Sequence, residues 1–578
     1  MKYFKEHRWA FVLAALTSII VAFPQIYLRF EPSYQGIELI PDSPWSGRVR
    51  EIQDGHGFGS IPYKDGKNDP YLHLPLGTMV VAYMGEVFSL DINNTFLLSR
   101  LVLPFIAFLL IYAFVFLLSR DRLAALSAAS LLTLADSVLN YYDLFRFLKG
   151  LPEGMSPTNF LELSRPVYSA MTLITFFGFL TSFFRFFQTK NWRWGVVATL
   201  ILGLEFYNYF YTWTYLYAFG VILGTIFLIR KEWSEMRLVA GVYLGALVVA
   251  IPYAINLYKA SLYPTYAVTA LRHGMVETHM PVFIGLVALV ALIVFFFGFP
   301  KANKRKYFFG LALLLAPIIT LNQQVITGKA LQTGHYHWYF HRPIAVIFVL
   351  VIVFGFFIRK NLFSSRRLVA TFLIIGSFVT GVFIQAASYL NTYEGRDGGY
   401  TAIERQKYGP VMDWLNTNAE KEAVVLANNE ASQVTIIYTS LNAFHHRSGQ
   451  LFLAASEERL LDAVFTIYLL RGVDAGEARQ VFQDEIKSIS SDVYGIYYRE
   501  TTGSYAGIPE EKFEEIVKLY TDGLKTPASK WLYEMFKKYD VEYIIWDKIK
   551  DPSWNLGRFN YLTEVFEFGG MAIYKFKP

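Results

Sequence analysis

Asp42 is the carboxylate whose surroundings best suit a general base. It occupies the N-cap position of SPWSGRVREIQ, a short helical pattern that closely follows the first apolar stretch of the chain. Two interpretations stay open for it. The side chain caps the helix, which is worth about 1 kcal/mol, or it takes a proton from a substrate hydroxyl at the membrane surface. Glu51 lies on the same segment and is a further candidate.

A second group of reactive side chains lies in NQQVITGKALQTGHYHWYFHR, between two later apolar stretches. Lys329, His335 and Arg342 have the chemistry of a phosphate clamp, because arginine forks two phosphate oxygens and lysine supplies a point charge. Two other interpretations stay open. His335, His337 and His341 have the chemistry of zinc ligands, and long basic side chains also reach out to lipid headgroups.

Three more carboxylates are candidates for binding an acceptor or a metal ion. Asp136 and Asp143 are seven residues apart on one predicted helical face, close enough to share a hard cation, although solvated loop charge is the alternative. Asp136 ends an apolar stretch, and so does Glu205, which either has a function or caps a turn between helices. The cofactor is unknown from the sequence, and a divalent cation stays an open possibility.

The composition predicts that these residues are positioned by membrane helices. The chain has 578 residues, of which 54% are hydrophobic, a mean hydropathy of +0.32 and no cysteine, which excludes disulfides and thiolate chemistry. Eleven apolar stretches of roughly membrane-crossing length are predicted as spans. They lie at about 9–27, 97–118, 122–138, 166–187, 194–209, 211–229, 238–256, 281–299, 307–321, 342–358 and 368–387.

The distribution of basic residues orients these spans. With eleven spans, and with 76–92 lying in the interface, six basic clusters all fall on one side: Lys2/Lys5/Arg8, Arg120/Arg122, Lys190/Arg193, Arg230/Lys231/Arg237, Lys301/Lys304/Arg305/Lys306 and Arg359/Lys360/Arg366/Arg367. We therefore expect a plasma-membrane protein with a cytoplasmic N-terminus, a retained first helix and no nucleic-acid partner. The extracytoplasmic regions are then 28–96, 139–165, 257–280, 322–341 and everything after about 388.

The pattern changes after residue 390. Strand-like stretches at 422–428, 492–498, 541–547 and 571–576 alternate with helical patterns near 404–418, 457–471, 475–488, 509–522 and 527–539. This alternation predicts an α/β domain with a largely parallel sheet. The sequence thus predicts a polytopic α-helical membrane domain, 1–390, followed by an extracytoplasmic α/β domain, 391–578.

The order of elements in the first outer loop resembles the GT-C superfamily of integral-membrane glycosyltransferases, which includes protein O-mannosyltransferases, aminoarabinose transferases and oligosaccharyltransferases. In that family the loop carries two juxtamembrane helices and the catalytic aspartate. Asp42 matches the acidic position, and HLPLGTMVVAYMGEVF, 73–88, matches the second helix. Two features depart from the family. Asp42-Ser43 has one acid where many members have two, and the WWDYG signature of oligosaccharyltransferases is absent.

The resemblance implies a fold with about eleven spans and the transfer of a sugar from a polyprenyl-phosphate-linked donor. The acceptor would be a hydroxyl of a glycan, lipid or protein, and the anomeric centre would be inverted. Asp42 would be the base, and the absent signature argues against transfer of a whole oligosaccharide to asparagine. Two rivals remain: a transporter or flippase for lipid-linked sugars, and a non-catalytic assembly protein. Transporters commonly contain inverted repeats, and the sequence contains no evident repeat.

Overall fold

The computed structural model describes residues 2–38, 43–139, 160–330, 332–394, 401–446, 448–495 and 508–578. Its N-terminal part consists of helices with a short antiparallel ribbon, β1 (Val276–Glu277) and β2 (Lys329–Ala330). The helices are α1 (Lys2–Leu28), α2 (Ser43–Gln53), α3 (Leu76–Val87), α4 (Ile92–Ser119), α5 (Arg122–Leu134), α6 (Met171–Thr189), α7 (Trp192–Leu204), α8 (Phe210–Ile229), α9 (Trp233–Val249), α10 (Ile251–Ser261), α11 (Tyr266–Arg272), α12 (Leu286–Gly298), α13 (Lys304–Thr320), α14 (Gln324–Thr327), α15 (Thr333–Tyr336), α16 (Arg342–Arg359) and α17 (Phe363–Glu394).

Each of the eleven predicted spans contains a helix, but the count of eleven is not confirmed. Among the described residues, seven helices are long and apolar enough to cross a membrane, or eight if α9 and α10, bent by 52° at their junction, form one span. The other three predicted spans contain α5, α7 and α12, which have 13 residues each. At 1.5 Å per residue these helices are about 20 Å long, less than the roughly 30 Å hydrocarbon core.

Two short helices, α2 and α3, lie between the first two long helices, in the order that the sequence predicts. The 12 residues of α3 make a helix about 18 Å long, too short to cross the bilayer core. The two ends of the loop also meet: Asn93 Nδ2 donates to the Gly36 carbonyl at 2.7 Å, and Arg29 Nη1 donates to Asn94 Oδ1 at 2.9 Å. The loop therefore begins and ends on one face.

The two faces of the helical part are each held together by contacts of their own. On the face with the basic turns, Arg366 Nη2 lies 2.6 Å from Asp121 Oδ1. On the other face, the first outer loop contacts the loop after α10, where the Tyr263 hydroxyl donates to Asp69 Oδ1 at 2.8 Å. The regions predicted to share a side therefore contact one another. Which face is cytoplasmic stays a prediction.

The C-terminal part contains a five-stranded sheet with helices on both sides. Its elements are α18 (Tyr408–Asn418), β3 (Val424–Leu426), α19 (Asn429–Tyr438), β4 (Asn442–Ala443), α20 (Glu457–Arg471), α21 (Ala478–Asp484), α22 (Ile486–Tyr494), α23 (Glu510–Gly523), α24 (Ala528–Lys538), β5 (Val541–Asp547), β6 (Leu562–Phe568) and β7 (Met571–Phe576). Successive residues of β3 face opposite apolar layers, Val424 and Leu426 on one side and Val425 on the other. The sheet is thus covered on both faces.

Two predictions for this part are wrong. The sheet, of order β4-β3-β5-β7-β6, is mixed rather than largely parallel, because β7 is antiparallel to both β5 and β6. Gly569 and Gly570 join β6 to β7 with positive φ angles, the backbone that a tight hairpin turn requires. The predicted strand at 492–498 is helical as far as it is described, since α22 buries Ile486, Ile489 and Val493 at helical spacing.

Candidate functional site

The helix predicted to open at Asp42 is present as α2, and it begins at the next residue, Ser43. Asp42 and Asp143 both lie outside the described residues, so their proposed roles stay predictions. Trp45, in the first turn of α2, is therefore the described side chain that best marks this end of the site. Its ring centroid lies 4.2 Å from that of His73, just before α3, and 4.9 Å from that of Tyr168.

Aromatic rings connect the first turn of α2 to the segment that carries His335. Tyr168 lies 5.8 Å from Tyr209, measured between ring centroids, and Tyr209 lies 5.8 Å from His335. Tyr211 stacks on the same imidazole at 4.6 Å. The structure thus brings one of the predicted phosphate-binding residues to within two intervening rings of Trp45. The sequence analysis singled out neither Tyr168 nor Tyr209.

Both ring nitrogens of His335 are engaged. Gln332 Nε2 donates to the His273 carbonyl at 2.7 Å, which turns Gln332 Oε1 towards His335 Nε2, 2.5 Å away. His335 Nε2 must therefore carry the proton, and its Nδ1 accepts a hydrogen bond from the Tyr209 hydroxyl. A phosphate oxygen arriving at this imidazole would replace Gln332 Oε1 as the acceptor.

The two other predicted phosphate-binding residues lie apart from His335. Arg342 is 8% exposed, donates to the Asp136 carbonyl at 3.3 Å, and has Nη1 3.8 Å from Asp136 Oδ2. This ion pair accounts for the charge that the sequence places at the apolar end of α5. Lys329 extends into solvent on β2, with its ammonium 3.9 Å from Glu277 Oε1 and 59% of its side chain exposed. No contact between Lys329 and His335 or Arg342 occurs in the described structure.

A carboxylate that the sequence offered less prominently lies beside this cluster. Glu162 Oε2 accepts hydrogen bonds from the Ser169 and Tyr339 hydroxyls, at 2.8 and 2.9 Å, and Arg165 Nη1 lies 3.9 Å away. The Tyr339 ring is 5.6 Å from that of Tyr209. Glu162 therefore adds a half-exposed acid to the site. Tyr339 is 177 residues away in sequence, so spacing alone did not reveal that it joins this group.

Glu51 connects the first outer loop to the C-terminal part. Its Oε2 lies 2.6 Å from Lys67 Nζ and accepts from the Ser60 hydroxyl at 2.7 Å, while Lys67 also lies 3.1 Å from Glu422 in the C-terminal part. His56 Nε2 lies 2.7 Å from Glu422 Oε1 and so belongs to the same network of ionisable side chains. Burial raises the pKa of Glu51, and the neighbouring Lys67 opposes that shift. The structure thus engages Glu51 in an ion-pair network.

Glu205 is fully buried at the junction of α7 and α8. Asn208 Nδ2 donates to its Oε2 at 3.2 Å, and Asn208 also donates to Thr175 at 2.9 Å. Glu205 therefore lies in the turn between two helices. The sequence analysis gave a carboxylate at such a turn as the alternative to a functional one, so the argument for a functional role is weaker.

The described residues contain no group of three His, Asp or Glu side chains placed to hold a metal ion. His337 and His341 do approach each other, with 3.4 Å between their Nδ1 atoms, while His335 is directed to Gln332 and Tyr209. Asp42 and Asp143, which the sequence offers as candidates for holding a divalent cation, lie outside the described residues.

Comparisons with known proteins add the following findings. No protein-family model matches the chain. No curated protein matches it. Among solved structures, it is similar to the oligosaccharyltransferase of Archaeoglobus fulgidus in complex with Zn and sulfate, at 12% identity over 96% of this chain and 71% of the other, with a TM-score of 0.49.

Two further similar structures are ArnT and AftD. ArnT from Cupriavidus metallidurans, bound to undecaprenyl phosphate, is 11% identical over 78% of this chain and 88% of its own, with a TM-score of 0.42. The arabinofuranosyltransferase AftD from Mycobacteria is 10% identical over 99% of this chain and 40% of its own, with a TM-score of 0.47.

Proposed function

We propose that this protein is a GT-C-type glycosyltransferase that moves a sugar from a polyprenyl-phosphate-linked donor to an acceptor hydroxyl on the extracytoplasmic side of the membrane. One observation carries the proposal: the ring contacts from Trp45 through Tyr168 and Tyr209 to His335 join the helix that starts beside Asp42 to the predicted phosphate-binding segment. A general base and a site for a leaving phosphate must lie on either side of the reacting sugar carbon, and the ring contacts between the two segments that carry these proposed groups support this arrangement.

In the proposed reaction, Asp42 takes the proton of the acceptor hydroxyl as the acceptor oxygen bonds to the anomeric carbon. The bond from that carbon to the phosphate oxygen breaks, and polyprenyl phosphate leaves with the bonding electrons. His335 and Arg342 stabilise the charge that develops on the phosphate, because fixed donors act strongly in a site that excludes water. Lys329, on its exposed ribbon, joins them when the donor is bound.

The remaining carboxylates have supporting roles in this proposal. Asp136 holds Arg342 at the edge of the site, and Glu162 offers an acid to the acceptor beside Tyr339. Glu51 acts at a distance, by fixing α2 against Lys67. Glu205 and Asp143 remain candidates for the acceptor or a metal ion.

The test is a transfer assay with the intact protein in lipid nanodiscs. Radiolabelled polyprenyl-phosphate hexoses and pentoses are supplied with glycan, lipid and peptide acceptors, and transferred sugar is measured. Asp42→Asn keeps the shape of the side chain but cannot take the proton, so we expect transfer to fall by about 100-fold or more. Asp65→Asn is the matched control, because Asp65 is an exposed carboxylate on the same loop.

Three results would count against the proposal. Transfer that survives Asp42→Asn at the rate of the Asp65→Asn control would remove Asp42 from its role. Movement of lipid-linked sugar between leaflets of proteoliposomes, with no transfer to any acceptor, would favour the transporter instead. Neither transfer nor movement under any condition would favour the assembly protein.

A further inference from the structure

A glutamine of the C-terminal part holds the backbone that leads to Asp42. Gln406 lies just before α18 and is only 4% exposed. Its Oε1 accepts hydrogen bonds from the amides of Gln35 and Ile37, at 2.7 and 3.3 Å, and its Nε2 donates to the Ile37 carbonyl at 2.7 Å. One amide side chain therefore satisfies three backbone groups of the first outer loop, as a neighbouring strand would.

A tyrosine at the end of α19 holds the next residue of the same stretch. The Tyr438 hydroxyl accepts a hydrogen bond from the Glu38 amide at 2.9 Å. The Glu38 side chain is buried and is fixed from the membrane part, because Arg29 Nε donates to its Oε1 at 2.5 Å. Glu38 precedes Asp42 by four residues, which span at most about 14 Å of extended chain. The C-terminal part thus fixes the backbone close to the proposed base.

The same helix, α19, also supports the chain just after Asp42. Helix α2 begins at Ser43 and lies directly against α19, since a Cβ built on Gly47 would be 2.9 Å from Ile436 Cδ1. Val49 of α2 is buried in the apolar cluster that also contains Ile436. Helix α19 therefore contacts the chain on both sides of the proposed base.

This arrangement suits the task of a general base. The carboxylate must lie within hydrogen-bond reach of the acceptor hydroxyl, and a misplacement of about 1 Å costs up to about 100-fold in rate. Fixed points at Glu38 and along α2 limit where a side chain at position 42 can lie, because each intervening residue adds only about 3.5 Å of reach. Both fixed points depend on the C-terminal part.

We propose that the C-terminal part is a platform that positions the proposed base, and that Gln406 and Tyr438 are positioning residues of this platform. The inference rests on the proposed function, because the role of the platform requires that Asp42 act in transfer. Both residues act through the backbone of 35–38 rather than by touching the substrates. Loss of either contact should therefore slow the bound complex without weakening the binding of donor or acceptor.

The experiment compares steady-state transfer by the wild type and by Tyr438→Phe, with the intact protein in nanodiscs and radiolabelled polyprenyl-phosphate sugars as donors. The substitution keeps the ring and removes the hydroxyl that the Glu38 amide uses. We expect kcat to fall about tenfold, while KM for donor and acceptor changes by less than about twofold. Tyr561→Phe is the matched control and should keep the wild-type kcat, because its hydroxyl donates to the Ser529 carbonyl at 2.8 Å, elsewhere in the C-terminal part.

Gln406→Glu adds a readout that depends on a proton. The new side chain keeps an oxygen that accepts from the two amides, but as a carboxylate it cannot donate to the Ile37 carbonyl. The charged residues beside it in the chain are paired with others, Arg405 with Glu430 and Lys407 with Asp547. Burial raises the pKa of a carboxyl, so the kcat of this variant relative to the wild type should rise at least about threefold from pH 8 to pH 5.5. Gln406→Leu has no proton to gain, and its relative kcat should stay low throughout.

Two kinetic results would overturn the platform. A higher acceptor KM in Tyr438→Phe with an unchanged kcat would show that the C-terminal part guides the acceptor instead. A relative kcat of Gln406→Glu that does not respond to pH would show that the donor to Ile37 is not needed. Melting temperatures identify a variant that fails to fold, and Tyr438→Phe then decides alone, because it removes only one hydroxyl.

Hydrogen exchange of peptides covering 35–38 tests the platform without any transfer. These amides should exchange faster in Tyr438→Phe than in the wild type or Tyr561→Phe, and equal exchange in all three would overturn the inference. Absence of transfer by the wild type would contradict the glycosyltransferase itself. Transfer by the wild type, with an unchanged kcat in Tyr438→Phe, would contradict the platform alone.

Discussion

Replacing Lys67 with methionine should loosen α2 from the C-terminal part. Lys67 lies 2.6 Å from Glu51 and 3.1 Å from Glu422, and the side chains of Lys67 and Glu51 are only 12% and 8% exposed. The substitution keeps the aliphatic length but leaves the Glu51 carboxylate with the Ser60 hydroxyl and a histidine nitrogen 3.9 Å away. A buried charge that loses its partner is destabilising, because its desolvation is no longer offset.

The expected size follows from the kind of bond that is lost. Hydrogen bonds to charged groups contribute about 1.5–3 kcal/mol, so we expect the docking of α2 to weaken by about 2–3 kcal/mol. That is about a 30- to 150-fold increase in the local opening equilibrium. Lys64→Met is the matched control. Its pair with Asp540, at 3.1 Å, is 44% and 66% exposed, and exposed pairs contribute only about 0–1 kcal/mol.

The defect should depend on pH in a defined direction. Burial already raises the pKa of Glu51, and loss of Lys67 raises it further. A carboxyl whose pKa is higher in the folded state binds a proton on folding, so its contribution is most favourable below the unfolded pKa of about 4.3 and is lost as the pH rises through the folded pKa. The Lys67→Met defect should therefore grow as the pH rises from 5 to 8.

Hydrogen exchange of peptides covering 43–53, in nanodiscs from pH 5 to 8, measures this opening. Adding Glu51→Gln to Lys67→Met should restore much of the protection, because the uncompensated charge is then gone. The reasoning is refuted if Lys67→Met opens α2 no more than Lys64→Met does. It is refuted equally if the double variant opens more than Lys67→Met alone.

Other variants test further parts of the structure. Gln332→Leu should lower transfer by about tenfold, because before the donor binds His335 loses the acceptor that sets its tautomer and orientation, so that Nε2–H is no longer held ready for the phosphate; an unchanged rate would show that this hydrogen bond is dispensable. Gly77→Ala should destabilise the protein by about 1–3 kcal/mol in thermal unfolding, because the added Cβ would lie 1.9 Å from the Val167 carbonyl oxygen, while Gly57→Ala, with nothing within 4 Å, should not. A cysteine introduced at Asn191, in a chain that contains no cysteine, should not react with an impermeant maleimide while the cells are intact. It should react once the cells are permeabilised and the cytoplasmic side is accessible.

Sequence periodicity predicted the elements whose patterns are strong. Strands β5 and β7 occupy the residues predicted for them, and so does α20. Strand β6 was missed because its pattern, LTEVFEF, mixes charged and apolar residues on an edge strand that is mostly exposed. Helix α19 was missed because Val434, Thr435, Ile436 and Ile437 are β-branched, and the helix depends on burial and on its Asn428 cap rather than on propensity.

The candidate site was predicted in part. Residue types and loop positions drew attention to His335, Arg342 and Glu51, because charges near apolar stretches are uncommon. The sequence did not reveal their partners: Gln332 and Tyr209 fix His335, and Lys67 fixes Glu51. Tyr209 and His335 lie on separate segments of the chain, and their contact is determined by how the helices pack. Gln332 and Lys67 lie in the same loops as their partners, but which side chains meet depends on how each loop folds, which local spacing does not encode.

Helix α17 has 32 residues and is therefore about 48 Å long, whereas the hydrocarbon core is about 30 Å thick. Near its C-terminal end, Gln385 Nε2 donates to the carbonyls of Ile20 and Val21 at 3.2 and 2.9 Å and accepts from the Leu161 amide at 2.9 Å. We expect such a braced helix to act as a rigid spacer between the bilayer and the sheet. Bilayer thickness then becomes a control variable: a membrane a few ångströms thicker would bring the headgroups closer to the first outer loop.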